Sequence, residues 1–72
     1  MKYELFERVE LVKDVPEFGL KVGDEGIVVE TYPASDGLEV EFMRPDGSTI
    51  AVLTLDFVEV RKATAAGRRA SA

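Results

Sequence analysis

The sequence predicts an all-β protein, a small five-stranded barrel followed by a tail that takes no part in it. Three observations carry this expectation. Apolar residues recur with a period of two or in short β-branched runs, never at the spacing of an amphipathic helix. Pro, Gly and Asp gather between those runs, where turns need them. The 72 residues contain no cysteine, so packing alone must hold the chain, and closing the sheet hides edges that an open one exposes.

Each element can be justified in order. Residues 5–14, LFERVELVKD, set Val9 and Leu11 on one face and Arg8 and Glu10 on the other, which predicts a long first strand. Pro16 lacks the N–H of a central ladder and ends it. A loop runs to about Gly23. Residues 25–32, EGIVVETY, rich in β-branched side chains, form the second strand. PASDG at 33–37 is a turn in which Asp36-Gly37 supplies the positive φ.

Residues 38–44, LEVEFMR, alternate Leu38, Val40 and Phe42 with Glu39 and Glu41, the cleanest strand pattern in the chain, with one face in the core and one in water. After the turn PDGS at 45–48, TIAVLTL at 49–55 is almost continuously apolar and reads as a central strand or one covered on both faces. Asp56-Phe57 make a corner that suits one 3₁₀ turn, and VEVR at 58–61 closes the sheet. Residues 1–62 thus form one barrel domain. The stretch 63–72, poor in large apolar side chains, reads as a disordered tail.

Composition excludes several chemistries. Without histidine or cysteine the chain lacks the usual general base, the commonest metal ligand and any thiolate site. A domain of this size buries only about 60% of its unfolded surface, which leaves little for the walls of a catalytic cleft. No run approaches the ~18 apolar residues of a membrane span, so the expected location is cytoplasmic. Residues 1–62 hold fourteen acids and seven bases, a net −7, a sign that repels phosphate backbones and steers toward a basic protein.

The sequence offers five candidate sites. The stretch GLKVGDEG, residues 19–26, opens a strand rather than the helix N-terminus of a phosphate cradle, and Asp24 and Glu25 would repel phosphate. Its expected role is geometric, with Gly19 or Gly23 at positive φ, Asp24 in the turn and Gly26 letting a neighbouring strand cross closely. Asp14, Glu17, Asp24 and Glu25 lack the alternation of a calcium loop and read as a solvated acidic loop, so no metal or cofactor is expected. Glu39 and Glu41 sit side by side on an outer face, and with Tyr32 they form the expected partner-binding surface. Tyr3, Phe6, Phe18, Tyr32 and Phe57 could line a peptide groove, but a domain this small is expected to spend most of its aromatics on the core. The tail's GRRAS looks like a kinase target, for which a solvated tail is the simpler reading.

The register DVPEFGLKVGDEGIVVETY, GLEVEF and DGSTIAVLTL is similar to a family of short bacterial proteins known as Domain of Unknown Function 4926. Its Gly23-Asp24-Glu25-Gly26-Ile27-Val28 element resembles the corner of KOW-type folds. The resemblance spans about residues 5–61 and implies an SH3-like barrel with no catalytic residues to transfer. The resulting expectation is a non-enzymatic acidic protein-interaction module, either a small accessory subunit or an inhibitory companion of the antitoxin kind. The alternative is a KOW-type barrel that binds nucleic acid through Lys13, Lys21 and the Arg68-Arg69 pair.

Overall fold

A computed structural model describes residues 3–63. Five antiparallel strands form one sheet: β1 (Arg8–Leu11), β2 (Glu25–Tyr32), β3 (Gly37–Met43), β4 (Thr49–Asp56) and β5 (Val60–Lys62), in the order β4-β3-β2-β1-β5. Three single 3₁₀ turns, Pro16–Phe18, Pro33–Ser35 and Phe57–Glu59, punctuate them. The expected disordered tail and the GRRAS motif lie outside the described residues.

The connection between β4 and β5 dictates the shape. They are the two outer strands, which a flat sheet would hold about 19 Å apart, four strand spacings. Only Phe57–Glu59 separates them, and in 3₁₀ geometry the four steps from Asp56 to Val60 cover about 8 Å. The sheet must therefore curl on itself, an arrangement compatible with an SH3-like barrel. Among the described residues no ladder joins β4 to β5, so the curl stops short of hydrogen-bonded closure and both edges persist. The expectation that closure hides the edges is corrected here.

The alternation seen in the sequence becomes the core. Val9, Leu11, Val28, Leu38 and Val40 are fully buried, as is Phe42, and they join Tyr3, Leu20, Leu55 and Val60 in one cluster. The concave face thus collects side chains from all five strands. The Tyr3 hydroxyl donates to the Val60 carbonyl at 3.3 Å, and Lys62 Nζ lies 5.2 Å from its ring centre. This fastens the chain start to the last strand.

β2 and β3 fall where the alternation and the turn residues set them. Three other expectations change. The long first strand shrinks to four residues because Glu4 to Glu7 form a turn, closed by the Glu7 N–H on the Glu4 carbonyl at 3.2 Å, with Phe6 at φ 68°. β4 is an edge strand rather than a central one, since among the described residues its sole ladder is to β3, and Val52 is 51% exposed. Its apolar run was legible, but its place in the sheet depends on β1, not β4, pairing with β5. The last strand begins two residues late because Phe57–Glu59 takes up the 3₁₀ turn, capped by reciprocal bonds between Asp56 and Glu59.

The core also uses fewer aromatics than expected. Tyr3 and Phe42 are buried and Phe57 packs against the cluster, whereas Phe6, Phe18 and Tyr32 are exposed. β-branched and leucine side chains on five short strands fill the interior instead.

Candidate interaction surface

The loop that precedes β2 is built by its own polar groups. Pro16 starts the first 3₁₀ turn, and Gly19, at φ 70°, ends it by donating its N–H to the Pro16 carbonyl at 3.0 Å. Val15 and Leu20 then exchange backbone bonds of 2.9 and 3.1 Å, so the loop is itself a small hairpin. Asp14 Oδ1 accepts the Val22 N–H at 3.0 Å and Asp24 Oδ2 the Lys21 N–H at 2.9 Å. These carboxylates act as backbone caps. Gly23, at φ 93°, donates to the Leu11 carbonyl at 2.8 Å and ties the loop to β1. Among the described residues no three acidic side chains gather closely enough to hold a metal ion.

Gly26 opens β2 in a different way. It is buried opposite Val9, and a Cβ there would lie 2.6 Å from Val40 Cγ1 and 2.9 Å from both the Glu41 carbonyl oxygen and Phe42 Cε1. β2 therefore passes β3 at a distance that leaves no room for a side chain.

The convex face carries the acids. The register places Glu30, Glu39 and Thr54 in one row across β2, β3 and β4, and Ile27, Glu41 and Val52 in the next. Glu39 Oε2 accepts the Thr54 hydroxyl at 2.7 Å and the Tyr32 hydroxyl at 3.1 Å, and Glu41 Oε2 accepts the Thr49 hydroxyl at 2.5 Å. The structure thus brings Tyr32 and Glu39 into direct contact and sets Glu41 beside them on β3. Both glutamates are half-buried, held by neutral donors instead of standing free in water as expected. The bond to Glu39 raises the Tyr32 phenol above its ordinary pKa, with desolvation and the Glu39 and Glu30 charges adding to it.

Thr49 and Thr54 were missed from sequence. For Thr54 the signal was available, because period two on adjacent strands places it opposite the outward Glu39; Thr49 is out of that phase and reaches Glu41 only through the register shift between Phe42 and Met43. Beside the acid rows, a groove of about 460 Å³ is lined by Arg8, Ile27, Glu41, Met43 and Arg44. Its lining mixes charges of both signs with the apolar side chains of Ile27 and Met43.

Four of the cations are paired with other acids. Lys13 Nζ reaches Glu59 at 2.9 Å, Arg61 Nε reaches Glu10 at 2.6 Å, Lys62 Nζ reaches Glu7 at 2.5 Å, and Arg8 Nε stands 3.9 Å from Glu25. The β1–β5 side is therefore zipped by ion pairs, whereas the β2–β4 side shows a run of carboxylates. Such a face can accept hydrogen bonds and attract cations.

Residues 5–62 match the family described as Domain of unknown function (DUF4926), and the chain belongs to that family. No curated protein and no solved structure matches it.

Proposed function

We propose that this member of the family is a non-enzymatic, acidic protein-interaction module that docks on a basic face of a partner protein. It would serve either as a small accessory subunit or as an inhibitory companion of an enzyme or toxin. The observation that carries the reading is the cross-strand set of Tyr32, Glu39 and Glu41, fixed by threonine hydroxyls rather than neutralised by cations. A carboxylate already held in one geometry loses little side-chain entropy when a lysine or arginine arrives. Exposed Val52 and Met43 beside it supply apolar contact at the margin.

The same distribution supports a protein over a nucleic acid as the partner. Four of the nine cations face acids within the domain, and the sheet's convex face carries Glu30 on β2 and Glu39 and Glu41 on β3.

The test is affinity capture from the native host with the wild-type chain and with Glu39→Lys/Glu41→Lys. A stoichiometric protein held by the wild type and released by the reversal supports the reading. Capture that is indifferent to the reversal, or no stoichiometric protein at all, rejects it.

A further inference from the structure

The two edges of the sheet are finished differently. β5 is three residues long, and its Arg61 and Lys62 are paired with Glu10 and Glu7. Short length and charge are how edges are kept from pairing with other chains. β4 has eight residues, Thr49–Asp56, with no lysine, no proline and no charge before Asp56.

The backbone groups left open on that edge can be identified. The Phe57 N–H donates to the Asp36 carbonyl at 3.0 Å, beyond the Gly37 and Asp56 pair, which marks that pair as the non-hydrogen-bonded kind. Alternation along the ladder then gives the bonds with β3 to Leu55, Leu53 and Ala51. The N–H and C=O of Val52 and Thr54 point away from the sheet. Both ends of this stretch are closed by side chains: the Asp56 N–H donates to Glu59 Oε1 at 2.8 Å, and the Thr49 carbonyl accepts from Arg44 Nη1 at 3.2 Å. Among the described residues nothing meets the four backbone groups between them.

We propose that this edge pairs with β4 of a second copy of the chain. In an antiparallel ladder with Val52 opposite the second copy's Thr54, Leu53 stands opposite Leu53 on the two-fold axis. All four open groups of each copy then find partners, and every side chain keeps its face. Charge permits this register. Asp56 lies opposite Ile50, and Glu41 is three strand spacings, about 14 Å, from the second copy's Glu39, beyond the ~8 Å screening length at physiological salt. The contact is small, so the dissociation constant is expected on the order of 0.1–1 mM.

Sedimentation equilibrium and amide exchange test it. The Val52 and Thr54 amides should exchange fast at ~10 μM and slow several-fold at ~1 mM, while the Leu53 amide, bonded to β3, is slow throughout. Val52→Pro removes an N–H that makes no bond within the chain. Val52→Lys places a cation opposite Glu41 on the edge. Each should leave a folded monomer at ~1 mM, a loss of association of at least tenfold. A wild type that stays monomeric with concentration-independent exchange overturns the proposal, as does a dimer that survives both variants. Slow Val52 and Thr54 exchange at every dilution would overturn it in favour of another part of the same chain. Protection that appears only with an added foreign strand would do so in favour of a different protein.

Discussion

Two residues hold conformations their neighbours force on them, and they answer to substitution in opposite directions. At Gly26 the obstacle to a side chain includes a backbone atom, the Glu41 carbonyl oxygen, which cannot swing aside as a rotamer can. Gly26→Ala is therefore expected to destabilise the fold by about 2–3 kcal/mol, read as a fall of more than ~10 °C in midpoint on thermal unfolding. The closeness of this crossing was anticipated from a glycine opening a β-branched run. Phe6 gave no such warning. It takes φ 68° with its ring 72% exposed, in a turn flanked by Glu4 and Glu7 and free of Gly, Asn and Pro. Its conformation is set by the fastening of Tyr3 in the core on one side and by the 2.6 Å bond from its N–H to the Val28 carbonyl on the other. Phe6→Gly is expected to raise stability by roughly 0.5–1 kcal/mol in urea denaturation, since it relieves the left-handed backbone and forfeits little burial. Tyr32 offers a third measurement at this scale. Its phenol should titrate above ~10 by ¹³Cζ resonance, and Glu39→Gln should return it toward that value by removing the charge on the acceptor.

At the scale of elements, what was legible depended on whether a segment's structure is decided locally. β2 and β3 are each bounded by turn residues and patterned along their length, and the sequence located them closely. β4 shows what pattern cannot reach: a run such as TIAVLTL is apolar whether it lies in the middle of a sheet or at its rim. Its neighbours are chosen by the short 3₁₀ link that sends the chain to β1. That link has its own acid chemistry. Glu59 accepts from Lys13 and from the Asp56 N–H, and the bond to Lys13, followed by that to the backbone, lowers its pKa. The Lys62 ammonium does the same to Glu7. For a carboxylate lowered in the folded state, the stabilising contribution is present above its unfolded value near ~4.3 and is lost as pH falls through the folded one. Glu59→Gln is thus expected to cost under about 1 kcal/mol at neutral pH, discounted for exposure. The difference from wild type should shrink as pH falls below the ordinary carboxylate range and Glu59 protonates in the folded chain, as chemical denaturation across that range would show.

For the whole molecule, composition conveyed the sign of the surface, whereas only the fold showed how it is divided. Fourteen acids among 72 residues do not say which are neutralised. That follows from β1 and β5 being neighbours, which sets Glu7 and Glu10 against Lys62 and Arg61 and leaves Glu30, Glu39 and Glu41 on the far strands. The chain is thus electrically two-sided, and this asymmetry makes a prediction that net charge alone does not. A partner guided to the β2–β4 face should associate with a rate constant that falls as salt is raised, and Glu39→Lys/Glu41→Lys should slow that step roughly tenfold at low ionic strength. The same reversal should change little at ~0.5 M salt, where screening extends over only a few ångströms. A charge reversal on the ion-paired side, Lys13→Glu, should leave the rate within about twofold under either condition, because it alters a pair remote from the docking face. Stopped-flow association of the captured partner measures all three. Equal slowing by the two reversals would mean that net charge does the steering and that the division of the surface has no part in it.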